Sequence, residues 1–388
     1  MGSLHPGDRP PAPLCATQLA TESATRSVPR PGEAFVARAH PACCATAIHA
    51  RCSHARTAAR DDRGDRLERH RSCFPVWRPN CAHTLTLASL CYRALKVSGF
   101  TSLARWRSSG GVILCYHNVV AGTDADTSDT LGLHMPLPTF ERQMRWLAAN
   151  YDVVPLAELI ARLSEGRSPR GTAAVTFDDA YGGVFDHAWP LLQDLSIPAT
   201  VFVVAEAPGR DEGFWWDDPD VLRAYSPAQR RRWLTTYRGD SGTIVASVAA
   251  ERRPRQPPRW CRPAAWSAIT EAATSGLQLG VHSATHRSLP ELEDGDLHRE
   301  VVDSRDIITR RTGVTPAFFA YPYGMWNDRV QRAVRSAGYR AAVTLEGRRT
   351  GATADPWALP RINVPAGIED AAFQAWTAGL NLRRWRDA

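Results

Sequence analysis

Residues 175–182 read Val-Thr-Phe-Asp-Asp-Ala-Tyr-Gly, an apolar run that passes directly into two carboxylates. About a hundred residues later, a second apolar run is followed at once by His282-Ser-Ala-Thr-His286. Each run is typical of a buried strand, and side chains that follow parallel strands meet at one edge of a sheet. We therefore expect Asp178 and Asp179 to lie beside the two histidines. Two imidazoles and one carboxylate form a three-ligand zinc site with a position open for water, and the spare carboxylate would act as a base.

Each of these motifs is weak when taken alone. Asp-Asp occurs at 61–62, 178–179 and 217–218, and with 12 histidines in the chain a spacing of four residues can arise by chance. The alternative interpretation is a helix-capping pair of aspartates and two surface histidines. The position of the two motifs favours a metal site over this alternative, because both begin where a predicted strand ends. Parallel α/β folds place their active sites at such strand ends.

Short apolar runs recur from residue 110 onward, with helix-like segments between them. One helix is predicted behind Thr139 as its N-cap, because Phe140, Met144 and Leu147 follow at helical spacing. Another ends before Gly338, which suits a C-terminal cap. Strands that alternate with helices imply a parallel sheet, and seven of them imply a barrel-like closure. The predicted strands cover residues 112–116, 173–177, 199–204, 277–281, 317–321, 340–345 and 358–364.

The net charge of +7 is unevenly placed along the 388 residues. Residues 1–108 hold 16 basic and 7 acidic side chains, whereas residues 109–388 hold 31 and 33. A nucleic-acid partner is therefore arguable only for the first segment, and none is expected for the rest. Seven of the nine cysteines lie in the first 91 residues without regular spacing, so the sequence predicts no disulfide framework.

Three segments follow from this pattern. Residues 1–83 have no sustained period and are predicted to be either disordered or translated DNA in front of the true start. Residues 84–108 predict a basic amphipathic helix that leads into the domain, with weak membrane-surface contact through 84–107 as an alternative to simple packing. Residues 109–388 form the barrel domain, with an insertion at about 206–262 over its mouth. No export signal or long apolar span is visible, which favours a cytoplasmic or membrane-peripheral location.

Three motifs together resemble those of the NodB-homology polysaccharide deacetylases, metal-dependent enzymes that remove acetyl groups from amino sugars in glycans. Thr176-Phe-Asp-Asp-Ala180 resembles the first motif, in which the first Asp is the base and the second binds metal. His282-Ser-Ala-Thr-His286 resembles the second, which supplies two histidine ligands. Tyr321-Pro-Tyr-Gly324 resembles the third, which lines the groove and offers a backbone N–H to the oxyanion. The resemblance covers about residues 110–365.

This resemblance implies a deformed (β/α)7 barrel and assigns roles at the predicted site. Asp178 would be the base, and Pro322 and Tyr323 would lie beside the substrate and its oxyanion. The ligands of one divalent ion would be Asp179, His282 and His286. The ion is most simply Zn²⁺, with Co²⁺ or Ni²⁺ as alternatives.

The chain departs from the family's pattern at three places. Ala180 stands where Gly is usual. Ala320 stands where many members have an Arg that orients the base. The last histidine is His298, so the late Leu-x-His motif that donates the catalytic acid has no histidine to use.

Two residues are predicted to fill these gaps. His117, in Leu-Cys-Tyr-His-Asn-Val, resembles a first-strand histidine of the exopolysaccharide (poly-N-acetylglucosamine) branch, which replaces the late one and protonates the departing amine. The alternative is a core histidine bonded to a backbone carbonyl. Arg361 is predicted to pair with Asp178 and keep it ionised, or to form a purely structural ion pair. Trp215 and Trp216 are predicted to stack on a sugar ring or to anchor the insertion.

We therefore expect a hydrolase that removes N-acetyl groups from an amino-sugar glycan or glycan precursor. An amidase acting on a small non-sugar substrate would use the same ion. A non-catalytic glycan-binding protein of the same fold and a nucleic-acid binder acting through the first hundred residues are the alternatives from other classes.

Overall fold

The computed structural model describes residues 87–122, 131–248 and 257–382. The predictions for residues 1–83 lie outside these residues. Among the helices of the described part, none is long and apolar enough to cross a membrane.

A curled parallel sheet forms the centre of the described chain. The strands are β1 Val112–Tyr116, β2 Asn118–Val120, β3 His134–Pro136, β4 Asp152–Val153, β5 Thr172–Phe177, β6 Ala199–Val203, β7 Gln278–Val281, β8 Phe318–Ala320, β9 Ala341–Val343 and β10 Ile362–Asn363. Seven of them follow the order β10-β1-β5-β6-β7-β8-β9, with β4 beside β5, whereas β2 and β3 pair separately. A parallel bridge between Val343 and Leu359 joins β9 to the segment that leads into β10. The deformed (β/α)7 barrel is thus confirmed.

Helices lie around this sheet and within the insertion that follows β6. They are α1 Leu87–Val97, α2 Phe100–Arg107, α3 Leu137–Asn150, α4 Leu156–Ser164, α5 Trp189–Asp194, α6 Pro219–Arg223, α7 Pro227–Thr235, α8 Ser241–Val248, α9 Trp266–Thr274, α10 Asp294–His298, α11 Ser304–Thr312, α12 Asp328–Ser336 and α13 Asp370–Thr377. In α12, Val330 and Val334 are buried, and Gly338 just beyond its end has a φ of +81°, which only glycine adopts without strain.

The seven predicted strands are all present: β1 matches its prediction, β5 begins one residue earlier, and the other five are shorter at their ends. Strands β2, β3 and β4 were missed because two or three residues are too few to show a period. Residues 87–107 of the predicted lead-in are helical but form two helices, α1 and α2, because Gly99 takes a φ of +75° between them. The N-cap prediction at Thr139 was wrong, since α3 begins at Leu137 behind Pro136.

The insertion between β6 and α9 has a small apolar core of its own. Asp218 and Ser226 accept backbone N–H bonds at the starts of α6 and α7, and a proline follows each cap, a typical helix-start signal. The residues of this core are Leu133, Trp215, Trp216, Val221, Trp233, Leu234, Ile244 and Tyr323. Because Tyr323 follows β8, the insertion packs on the carboxyl ends of the strands.

Candidate metal centre and active site

The carboxyl ends of four strands carry the predicted site residues. His117 follows β1, Asp178 and Asp179 follow β5, His282 follows β7, and Tyr323 lies in a short turn after β8. All five are buried. The sheet order places β1, β5, β6, β7 and β8 side by side, so residues far apart in sequence converge on one end of the barrel.

Asp179, His282 and His286 form a group with the spacing of metal ligands. The Nε2 atoms of His282 and His286 are 3.1 Å apart. Asp179 Oδ1 lies 3.6 Å from the first and 3.4 Å from the second. A tetrahedral zinc with bonds of about 2.05 Å holds its ligand atoms roughly 3.3 Å apart, so one ion fits these three atoms. Asp179 Oδ1 is buried and accepts no hydrogen bond from any described residue, as expected for an oxygen that faces a cation.

Neighbouring groups orient the two imidazoles. His282 Nδ1 lies 2.8 Å from the carbonyl oxygen of Ala320 and must donate its proton there, which leaves the Nε2 lone pair for the site. The backbone N–H of His286 donates to Ser283 Oγ at 2.9 Å and closes the turn between the two histidines. Ala320, which replaces an arginine of the family pattern, thus contributes through its backbone.

Glu300 is a supporting residue that sequence reasoning missed. It lies in the π-helical segment Arg299–Asp303 between α10 and α11 and is 2% exposed. Its Oε2 accepts the backbone N–H groups of Ala284 and Thr285 at 2.9 Å each, and its Oε1 accepts Thr285 Oγ at 2.5 Å. A buried carboxylate therefore fixes the backbone turn that carries both imidazoles. No sequence motif marks it, because a glutamate within a helix is ordinary.

Asp178 and Arg361 form a buried bidentate ion pair. Arg361 Nη1 donates to Asp178 Oδ1 at 2.7 Å and Nη2 donates to Oδ2 at 2.6 Å. The guanidinium also donates to the Thr344 carbonyl and to Thr176 Oγ1. Burial raises the pKa of Asp178, but the charge and hydrogen bonds of Arg361, together with the nearby imidazoles, lower that pKa below its usual range. Asp178 is thus ionised at neutral pH, with Oδ2 only 3.7 Å from His282 Nε2.

A second group of ligand types, Cys115, His117 and Asp178, lies beside the first, with its ligand atoms within 4.8 Å of one another. It does not suit a cation, because both oxygens of Asp178 already face Arg361. Cys115 instead donates its thiol proton to Asp178 Oδ2 at 3.3 Å. Burial raises the pKa of that thiol, which keeps it a neutral donor. An apolar neighbourhood in the sequence gave no sign of this contact.

Burial also sets the protonation of the three candidate ligands. It lowers the pKa of His282 and His286, so both imidazoles are neutral, the form that binds metal. Burial, and then the charge of Asp178, raise the pKa of Asp179 well above its usual value. The carboxylate form of Asp179 therefore needs a positive charge that no described side chain provides at ligand distance.

His117 lines the same cavity, and its ring makes no hydrogen bond with a described residue. The alternative of a core histidine bonded to a carbonyl therefore finds no partner among those residues. Burial lowers the pKa of His117 to about 4. The ring is neutral at rest near pH 7, so it has to gain a proton within the turnover before it can act as an acid.

Backbone strain is concentrated at this site. Seven described residues other than glycine have a positive φ, and five of them lie here: Asp179, Ala180, Ser283, His286 and Tyr323. A left-handed conformation costs a residue with a Cβ about 1 kcal/mol or more. Ala180 has a φ of +54°, which explains why Gly is usual at this position. Strain of this kind persists only where surrounding contacts enforce it.

Trp215 and Trp216 of the insertion pack against the site. Trp215 Nε1 donates to the Tyr323 hydroxyl at 3.1 Å, and Trp216 Nε1 donates to the Tyr181 hydroxyl at 2.8 Å. The Trp216 ring lies 4.5 Å from the ring of His286. Each tryptophan therefore anchors the insertion and also forms part of the cavity wall.

A polar network continues from Trp216 into the barrel. Tyr181 donates its hydroxyl proton to Asp217 Oδ2 at 2.6 Å, and His134 Nε2 lies 3.1 Å from Asp217 Oδ1. Asn118 Nδ2 lies 3.0 Å from His134 Nδ1. This network joins β2, β3 and the insertion, and it fixes Trp216 against a candidate ligand.

The cavity at the centre has a volume of about 70 Å³. Its polar wall contains His117, Asp178, Asp179, His282, His286 and Arg230, and its apolar wall contains Leu131, Leu133, Trp215, Trp216, Tyr225, Tyr323 and Leu345. Pro322 is buried in the turn that carries Tyr323.

Much of this chain is similar to known proteins. Residues 165–342 match the family described as Polysaccharide deacetylase. YxkH of Bacillus subtilis is 22% identical over 270 residues, which cover 69% of this chain and 76% of that protein. The poly-beta-1,6-N-acetyl-D-glucosamine N-deacetylase of Staphylococcus aureus is 21% identical over 248 residues, 63% of this chain and 70% of that protein.

Among solved structures, that of IcaB from Ammonifex degensii is 21% identical, with a TM-score of 0.49, and the match covers 70% of this chain and 98% of that one. The family match contains both aspartates of the first motif and both histidines of the second. Through residues 165–342, this chain is therefore similar to the polysaccharide deacetylase family.

Proposed function

We propose that this chain is a metal-dependent hydrolase that removes N-acetyl groups from an amino-sugar glycan. The observation that carries the proposal is the convergence of Asp179, His282 and His286 at ligand distances beside an arginine-paired Asp178. The name of the relative in Staphylococcus aureus supports a polymer of N-acetylglucosamine as the substrate class.

Asp179, His282 and His286 would hold one divalent ion. Two nitrogen donors and one oxygen donor suit Zn²⁺, and they also suit Co²⁺ and Ni²⁺. When bound, such an ion lowers the pKa of a water to about 7 and polarises an amide carbonyl.

The chain's own residues supply the proton transfers. Asp178, held ionised by Arg361, accepts the proton of the attacking water. His117 lies within reach of Asp178, takes up a proton during the turnover and delivers it to the departing nitrogen. The water oxygen joins the acetyl carbon, the C–N bond breaks, and the products are acetate and a free amine. The backbone N–H of Tyr323 is proposed to donate to the oxyanion.

The cavity shape agrees with this reaction. A volume of about 70 Å³ admits a group of a few heavy atoms, such as an acetamido group, rather than a whole sugar ring. Both indole N–H groups already donate to tyrosine hydroxyls. We therefore propose that Trp215 and Trp216 form the apolar wall for the acetyl methyl group rather than a platform for the sugar.

The experiment is to measure acetate release from β-1,6- and β-1,4-linked N-acetylglucosamine oligomers before and after chelation, and after return of Zn²⁺, Co²⁺ or Ni²⁺. Asp178→Asn and Asp179→Asn form a matched pair. The first should retain the ion and lose activity about 10²- to 10⁴-fold, whereas the second should lose the ion itself, as measured by metal analysis. Acetate release that is indifferent to chelation would refute the metal-dependent mechanism.

The remaining alternatives are separate outcomes of the same assay. Chelator-sensitive release from small N-acyl amides, but not from the oligomers, would indicate the amidase. Oligomer binding without release under any of these ions would indicate a glycan-binding protein.

A further inference from the structure

Exposed apolar side chains are concentrated on α1 and α2. The described residues expose seven large apolar side chains, and six of them lie on these two helices: Leu87, Leu90, Val97, Phe100, Leu103 and Trp106, between 48% and 88% exposed. Their spacing is three or seven residues within each helix, so each set lies on one helix face. We call these six residues the outer face. The seventh, Val314, stands alone after α11.

The opposite side of α1 is firmly held by the barrel domain. The Tyr92 hydroxyl accepts the indole N–H of Trp376 at 2.8 Å, and Ser89 donates to Glu369 at 2.6 Å. Tyr92 and Ser89 are buried. The orientation of the helix is therefore fixed, and the outer face is presented to the surroundings by the packing of α1 on α13.

The charge around the outer face is positive. Residues 87–107 contain Arg93, Lys96, Arg105 and Arg107 and no acidic residue. Arg93 pairs with Glu369, whereas Lys96 and Arg107 are exposed. Leucine, phenylalanine and tryptophan on one face with lysine and arginine beside them are typical of helices that lie in the interface of an anionic bilayer.

Charge also argues against two other partners for the outer face, namely residues 1–86 and a second copy of the chain. Residues 1–86 hold 12 basic and 7 acidic side chains, so they would bring more positive charge onto a basic face. In a dimer formed through this face, the cations of one copy would lie against the same cations of the other and repel them. We propose that the outer face docks on an anionic membrane surface, with its apolar side chains in the interface and the flanking cations on lipid headgroups.

The location of α2 determines how docking affects the barrel. The Trp106 carbonyl accepts a hydrogen bond from Arg170, which lies just before β5, and β1 begins a few residues after α2. The end of α2 therefore lies at the amino ends of the strands, opposite to the candidate active site. Docking through Trp106 leaves the mouth of the barrel clear of the lipid.

The test is flotation of the full chain with phosphatidylcholine vesicles that contain or lack phosphatidylglycerol. We expect binding to the anionic vesicles only, weakened by salt. Combining Leu90→Gln, Leu103→Gln and Trp106→Gln should lower the partition coefficient roughly tenfold or more. Val314→Gln, a matched exposed position elsewhere, should leave it unchanged. Lys96→Gln and Arg107→Gln should each lower binding about fivefold.

Several outcomes would overturn the proposal. These are no binding, equal binding to neutral vesicles, or a triple variant that binds like the parent, which would assign the attraction to residues 1–86. A dimer that the triple variant abolishes, seen by light scattering, would make the outer face an interface between copies. Chelator-sensitive acetate release from soluble oligomers, measured on every variant, separates this question from the proposed function.

Discussion

Replacing Arg361 with methionine tests how the chain keeps a base ionised in a buried site. Methionine retains much of the side-chain volume and removes the charge and all donors. Arg361 is 0% exposed and gives two of its N–H groups to the carboxylate of Asp178. Without it, burial of Asp178 acts unopposed by that cation, and the pKa of Asp178 must rise.

The magnitude follows from the two contacts, at 2.7 and 2.6 Å. Hydrogen bonds to a charged group contribute about 1.5–3 kcal/mol each, so the ionised form of Asp178 loses about 3–6 kcal/mol. Since about 1.4 kcal/mol corresponds to one pKa unit, the pKa of Asp178 should rise by about 2–4 units from its lowered value. We expect the acid limb of the kcat/KM profile to move up by about 2–4 pH units, with the rate regained as the pH rises.

The assay is the pH profile of kcat/KM for acetate release, with metal content measured on the same samples. Arg361→Lys is the control, because lysine keeps the charge but not the planar fork, so its acid limb should move less. The pH dependence of the free energy of unfolding gives an independent test. In the parent the pKa of Asp178 is lower when folded than when unfolded, so its contribution is present above about pH 4 and is lost as the pH falls through the folded value.

In Arg361→Met the sign reverses, and the variant should lose stability as the pH rises above about 4. A variant that keeps the parent's rate and acid limb would refute the claim that Arg361 holds Asp178 ionised. A rate that is lost equally at every pH, together with the metal, would show that Arg361 acts through the fold instead.

Three further predictions concern the residues around this pair. Glu300→Ala should lower the free energy of unfolding, measured in urea, by about 2–4 kcal/mol and weaken metal binding tenfold or more, because two backbone N–H groups lose their acceptor. Glu300→Gln should retain most of the stability and most of the metal affinity. In the presence of chelator, the parent's free energy of unfolding should fall by about 2 kcal/mol between pH 7 and 5 through His117, because the folded pKa of about 4 lies below the unfolded value and protons bind the unfolded chain first. The free energy of unfolding of His117→Asn, measured in urea, should depend less steeply on pH. Tyr181→Phe should lower kcat/KM about tenfold and the free energy of unfolding by only about 1–2 kcal/mol, because Trp216 loses its hydrogen-bond acceptor and Asp217 loses a donor. An unchanged rate would show that this network does not position the cavity wall.

The seven barrel strands were predictable because each is a buried apolar run that a sheet of this kind requires. Residues 112–116 were placed without error, since all five side chains of β1 are buried and leave an uninterrupted apolar signal. The break at Gly99 was not predicted, because one glycine within an amphipathic pattern does not reveal a left-handed conformation. Strand β4 is two residues long and carries no periodic signal at all.

At the candidate site, the sequence predicted the side chains that the fold brings together but not those that hold them in place. Asp179 and His282 were recognisable because carboxylate and imidazole follow predicted strands. Glu300 and Tyr181 were not, because a helical glutamate and a tyrosine within an apolar region have many ordinary roles. Their function depends on contacts across 15 and 36 residues of sequence, which only the fold brings together.

The adjacent aspartates differ in their surroundings because the backbone turns between them. Asp178 continues from β5 towards Arg361, whereas Asp179 takes a φ of +71° and faces His282 and His286. Burial pushes the pKa of both carboxyls upward. The fold supplies a cation for the first and none at ligand distance for the second among the described residues, so the ionised form of Asp179 depends on a cation from outside the chain. The proposed base and the proposed metal ligand are therefore distinguished by the position of one arginine, not by any difference between the two side chains themselves.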